Sequence, residues 1–222
     1  LCMTTSEDNR LAIEMPAGYD PADFELFRRA LARRSPADLS EIFLIRPLPN
    51  GKWDWNNNEG AGVSLDLIGG SHTYPEADYG TRADIWQDHR YYTQGLLYFI
   101  SNDPQVPAHL RTEMQGWGLC MDEFEDTGGW PHQLYVREAR RMIGRYVMTE
   151  DNCALRTFVD DGIARGSYPS DSHGVQRYVN EDGWVRNEGG YYYYPAGRMA
   201  PYEVSYRAIT PKSEECRNLL VP

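Results

Sequence analysis

The chain has 222 residues, enough for one sizeable core or two small ones. Its 33 acidic residues outnumber 22 basic ones, and the formal charge of -11 argues against nucleic acid or an anionic membrane surface as a partner. No apolar run approaches the roughly 20 residues of a bilayer-spanning helix, and the first ten residues lack the basic and apolar parts of a signal peptide, so a soluble protein is expected, its compartment open.

In chain order, Asp20-Pro21 followed by Phe24, Phe27, Ala30 and Leu31 predicts a capped amphipathic helix that ends at Arg33-Arg34, before Ser35-Pro36. Residues 42–48 form a short apolar run of strand type, and the Asn- and Gly-rich stretch 51–70 reads as a loop. Ile85, Trp86, His89, Tyr92, Leu96, Leu97 and Ile100 lie near helical spacing and predict a helix over about 81–101, broken by Asn102-Asp103-Pro104. A second helix is expected over 107–117, ending at Gly118. Residues 133–147 read as mostly extended, with helix as an open alternative over 138–145, and Thr149-Glu150-Asp151 is a helix start. Residues 175–180 and 184–187 around Asp182-Gly183 predict a hairpin, because Asp-Gly supplies the positive φ of a tight turn. Short strands are expected at 191–194, 202–209 and 218–221. The fold class is α+β, with a helical part at about 20–120 and a mixed or antiparallel sheet at about 130–222. Leu1 is not an initiator and the apolar 218–221 run stops at the chain end, so a piece of a longer protein is expected.

Several residues carry candidate chemistry. His173, in Asp171-Ser172-His173, is an acid/base candidate whose tautomer a carboxylate such as Asp171 can hold; an exposed or capping histidine is the plainer alternative. Arg137, Arg140 and Arg141 suit a substrate carboxylate, or else an internal network with Glu138, Glu150 or Asp151. Arg207, beside Tyr206, carries the same two readings. Asp54 with Asn56, Asn57 and Asn58 offers oxygen and amide groups to sugar hydroxyls or a hard cation, or simply turn chemistry. His72, His89, His109 and His132 form no metal-ligand spacing, and His89 reads as a core histidine. Trp53 and Trp55 suit a sugar-stacking platform or burial. Cys2, Cys120, Cys153 and Cys216 are widely spaced and read as free thiols rather than a zinc or dithiol site.

The blocks Lys52-Trp53-Asp54-Trp55-Asn56-Asn57-Asn58, Tyr74-Pro75-Glu76-Ala77-Asp78-Tyr79, Trp117-Gly118-Leu119-Cys120-Met121-Asp122-Glu123-Phe124, Asp171-Ser172-His173 and Tyr206-Arg207-Ala208-Ile209-Thr210-Pro211-Lys212 occur in order. With the arginine-rich run after Trp130, they make the region from about Lys52 to Pro222 resemble the middle part of a family of bacterial FAD-dependent oxidoreductases, some of whose members carry a xanthan lyase-related label. Ser205 departs from the proline expected before Tyr206-Arg207, and the Tyr191 to Tyr194 run is unusual.

The resemblance implies the substrate-side part of a Rossmann-type flavoprotein whose FAD domain, with its Gly-rich loop, is absent from this chain. It implies FAD as cofactor, with its contacts in this chain unknown, and the remainder of the parent flavoprotein as a partner. The expected reaction moves a hydride from an organic substrate to the flavin, with carbohydrate-derived alcohols among the candidates. His173 would handle the proton, Arg137 and Arg207 would clamp charge, and Asn57, Asp54, Arg140 and Asp171 would bind substrate. The alternatives are a glycan-binding domain without redox chemistry, or a scaffold piece inert without its neighbours.

Overall fold

A computed structural model describes residues 1–58, 64–136, 140–168, 170–192 and 201–221, apart from the side chains of residues 170, 173 and 190–192. The chain divides into two compact units, Leu1–Val136 and Arg137–Pro222.

The first unit builds a five-stranded antiparallel sheet from β1 (Cys2–Thr4), β2 (Arg10–Leu11), β3 (Phe43–Leu48), β4 (Lys52–Asn57) and β5 (Gly118–Cys120), in the order β2-β5-β1-β4-β3. The strand expected over 42–48 is present as β3, and the other four strands correct the expectation of an otherwise helical first half. Three of these strands are only two or three residues long, too short for alternation to show in the sequence. The sheet also corrects the loop expected from residue 51: β4 pairs along its whole length with β3, placing Trp55 opposite Ile45. Asn50 and Gly51, with φ of 63° and 70°, make the tight connection between the two strands.

The helices follow the sequence more closely. A 3-10 turn at Pro21–Phe24, capped by Asp20, runs into α1 (Glu25–Arg34), and Ser35 closes it in the left-handed region at φ 49°. Helix α2 (Tyr79–Asn102) starts where the Asp78 carboxylate accepts the Thr81 amide at 2.8 Å, and α3 (Ala108–Gln115) follows the Pro104 break. Phe24, Phe27 and Leu31 meet Leu96, Leu97, Phe99 and Ile100 of α2, Leu110 and Met114 of α3, and Met3, Phe43, Trp55 and Leu119 of the sheet in one buried cluster. Fully burying each such side chain contributes roughly 1.5–3 kcal/mol. Gly95 lets α2 approach Phe24, because a Cβ there would lie 2.6 Å from the phenyl Cζ.

In the second unit, α4 (Glu150–Cys153) begins at Thr149 with a reciprocal capping box to Asn152. Strand β6 (Gly162–Gly166) pairs with β9 (Tyr202–Ser205), and β7 (Ser170–Val179) pairs with β8 (Val185–Tyr192). The hairpin expected around Asp182-Gly183 is present, and its strands extend further than the apolar pattern implied. Tyr191 and Tyr192 belong to β8; Tyr193 and Tyr194 lie outside the described residues. The strand expected over 202–209 stops at Ser205 and turns into a 3-10 segment, Tyr206–Ile209, because Ser205 Oγ accepts the Arg207 amide at 3.1 Å.

Two further strand expectations do not hold. The described part of 133–147 joins no ladder: Arg145 and Tyr146 instead donate their amides to the carbonyls of Thr210 and Arg207 at 3.1 and 3.2 Å. Residues 218–221 are also irregular, with the Val221 amide bonded to the Ile209 carbonyl at 2.8 Å.

Candidate functional site

The first unit contains a cavity of about 300 Å³. Strand β4 contributes Asp54, Trp55, Asn56 and Asn57 to its lining, helix α2 contributes Trp86, His89, Arg90 and Thr93, and the segment after Gly129 contributes Trp130, Gln133 and Tyr135. The four α2 residues stand at i, i+3, i+4 and i+7, which is one stripe of a helix. Two hydroxyls of the same helix fasten the far wall: Tyr92 Oη donates to the Ser64 carbonyl at 3.0 Å, and Thr93 Oγ1 donates to the Leu65 carbonyl at 2.9 Å.

Asn57 completes that wall. Its Oδ1 accepts from Ser64 Oγ at 3.0 Å and from the Leu65 amide at 2.6 Å, while its Nδ2 donates to Asp66 at 2.7 Å. Its side-chain amide therefore shapes the cavity through its neighbours. Asp54, three residues earlier on β4, keeps 43 % of its side chain exposed and lies 3.8 Å from the Leu1 ammonium. Trp53 instead packs edge-on against Trp117, at 5.9 Å between ring centroids.

Three groups in the lining carry unusual polar character. Trp55 is 1 % exposed, yet its indole N–H finds no acceptor among the described residues. The His89 imidazole is half-buried, and burial pushes its pKa below the ordinary value despite the nearby Asp66 and Asp88 charges. Its Nε2 is closed off from solvent without a hydrogen-bond partner among the described residues. Arg90 lies over the rings of Trp86 and Trp130, at 5.9 and 5.5 Å from their centroids. It makes no ion pair with a described carboxylate.

Of the residues singled out from sequence, Asp54 and Asn57 meet in this cavity. His89 belongs to it as well, and the helical stripe it shares with Arg90 and Thr93 was the available signal. Asp171 lies in β7, where the Tyr168 hydroxyl approaches its carboxylate at 3.4 Å. His173 has its backbone in β7 and its side chain outside the described set; Arg137 lies outside the described residues altogether. Arg140 and Arg141 are exposed. The Arg207 guanidinium is held by Asp161 through Nε at 2.9 Å and by Asp160 through Nη2 at 2.5 Å, and it also lies over the Tyr146 ring. The fully buried Ser205 donates its hydroxyl to Asp161 at 2.8 Å, a use that proline could not supply at that position.

The residues described do not fit the pyrophosphate end of FAD, which needs open backbone amides at a helix start with close glycine approach. The turn leading into α1 and the start of α2 are occupied by the carboxylates of Asp20 and Asp78; α4 is closed by Thr149 and Asn152; α3 starts behind Pro107. The cavity sits at the low end of the roughly 300–1,000 Å³ of small-molecule pockets, room for a small substrate rather than a dinucleotide. Among the described residues, no cluster of three or more His, Cys, Asp or Glu side chains is arranged for a metal ion, and no helix is long and apolar enough to cross a membrane.

No curated protein and no solved structure matches the chain. The family model described as FAD dependent oxidoreductase matches residues 1–222, a longer stretch than the blocks from Lys52 onward. The chain therefore belongs to the FAD dependent oxidoreductase family, and a flavin-linked redox function follows at that general level.

Proposed function

We propose that this chain supplies the substrate side of a flavin-linked oxidation, and that the cavity between β4 and α2 takes a small, hydroxyl-rich, carbohydrate-derived organic substrate, which gives up a hydride and a proton in the reaction. The observation that carries this reading is the composition of the lining: the indoles of Trp86 and Trp130 stand beside the carboxylates of Asp54 and Asp66. Indole faces suit the C–H face of a sugar ring, and carboxylates accept from its hydroxyls. Burial favours the neutral form of His89 in this lining.

His173 remains the proposed proton-handling group of the second unit and Arg137 the proposed charge clamp, with Arg140 and Asp171 as proposed substrate contacts. Arg207, committed to Asp160 and Asp161, is better read as a structural tie.

The test is calorimetric titration of the chain with a panel of monosaccharides and sugar acids. Asp54→Asn should weaken a binding partner about tenfold, or ~1.4 kcal/mol. A panel that gives no binding would sink the reading. Tight binding combined with no oxidation by a full-length relative, given FAD and an artificial electron acceptor, would favour the non-catalytic glycan-binding alternative.

A further inference from the structure

The charges in the cavity are not distributed as a neutral sugar would need. Asp54, on β4, lies 3.8 Å from the Leu1 ammonium and Asp66 lies near His89, while Arg90 on α2 has no described carboxylate within ion-pair distance. In a chain with 33 acids against 22 bases, a half-buried arginine left without an acidic partner is unexpected. Its restraint is aromatic: Trp86, on the same helix, and Trp130, from the segment opposite, hold the guanidinium between them. Those rings limit the rotamers of Arg90 and displace water around it, so its planar donor fork is set before a ligand arrives. A fork-shaped cation without an acidic partner answers best to a ligand carboxylate.

We infer that Arg90 is a specificity-determining residue that binds a ligand carboxylate, so that the cavity takes a sugar acid in preference to the corresponding neutral sugar. The inference rests on the reading of the cavity as a substrate pocket. Arg90 then sets orientation: the ligand carboxylate goes to the guanidinium and the ligand hydroxyls to the Asp54 side. Lysine would keep the charge at position 90 but lose the planar fork and much of the stacking between two indoles.

Binding of D-glucuronate and D-glucose to the intact chain, measured by calorimetry at low salt, tests this directly. The expected result is glucuronate binding at least about tenfold tighter than glucose, with the preference shrinking as salt is raised. Arg90→Gln should bring the two sugars to similar affinity, and Arg90→Lys should fall between. Equal affinities in the unaltered chain, or a preference that survives in Arg90→Gln, would overturn the role of Arg90 while leaving the cavity as a sugar site. Failure of both sugars and of the wider panel would remove the pocket reading and this inference together.

Discussion

Cys2 and Cys120 bring their sulfurs to 3.2 Å from each other across the neighbouring antiparallel strands β1 and β5. They are 118 positions apart in sequence, and both are free thiols. Burial, then the Cys2 neighbour, pushes the Cys120 thiol up to about 12, so the more exposed Cys2 is the thiol that starts any oxidation. Hydrogen peroxide takes two electrons and two protons from the pair, forming the S–S bond and two waters. Brief peroxide treatment, followed by thiol titration of the unfolded chain, should leave Cys153 and Cys216 as the reactive thiols. Full recovery of Cys2 and Cys120 by the thiol reagent would rule this out.

Helix α2 depends on a missing side chain. Adding a methyl group at Gly95 places it 2.6 Å from Phe24 Cζ, inside a core that has no slack. Although alanine is the better helix former by up to about 1 kcal/mol, overpacking costs about 1–3 kcal/mol. Gly95→Ala should therefore lower the urea midpoint of unfolding, and pairing it with Phe24→Leu should recover part of the loss. A midpoint that rises would show the helix has room to shift.

The second unit carries its own acid sensitivity. The Arg207 guanidinium first, with further help from Ser205 and the Arg207 amide, holds the Asp161 carboxyl well below the usual carboxylate range. A carboxylate shifted down on folding adds stability that is complete above its unfolded pKa of about 3.9 and is lost as pH falls through the folded value. Asp161→Asn should lower the melting temperature at pH 7 and flatten its fall below pH 4. The comparison to make is a pair of melting curves across pH 2–7; parallel curves for variant and parent would remove Asp161 from the account.

His89 acts in a higher window with the same sign. Burial lowers its folded pKa, so the unfolded chain binds a proton more readily than the folded one. Stability should be complete above the ordinary histidine pKa of about 6.5 and should decline as pH falls from there through the folded value. His89→Gln removes that proton uptake. Urea unfolding at pH 7.5 and 5.5 should show a smaller pH difference in the variant than in the parent, and an unchanged difference would assign the slope elsewhere.

The helices were legible because their signals are local. Asp20-Pro21 and Asp78 sit beside the amides they cap, and the apolar stripe of α2 repeats over several turns. Strand β4 was hidden by composition: the alternation Lys52, Trp53, Asp54, Trp55, Asn56 has the period of a strand, but its polar residues and the glycines around it read as a loop. The candidate site was half visible. Asp54 and Asn57 stand out in the sequence as a polar cluster, whereas His89 reads as a core histidine because its aromatic neighbours Trp86 and Tyr92 dominate the pattern. Arg207 with Asp161 and Cys2 with Cys120 left no local trace, since tertiary pairing at 46 and 118 residues of separation has no sequence period.

The position of β5 has a consequence for how the chain is made. It lies between β2 and β1, so β2 has no strand partner, and β1 is an open edge, until residues 118–120 arrive. During synthesis, β1, β3 and β4 can pair early, but the sheet is finished only after the helices α1, α2 and α3 have all left the ribosome. A nascent chain that has emerged from the ribosome only as far as about residue 110 should expose the edge of β1 to other chains, and emergence of the next dozen residues should protect it. Aggregation of such stalled chains, relieved by a few added codons, would be the cellular trace of a strand inserted last into the middle of its sheet.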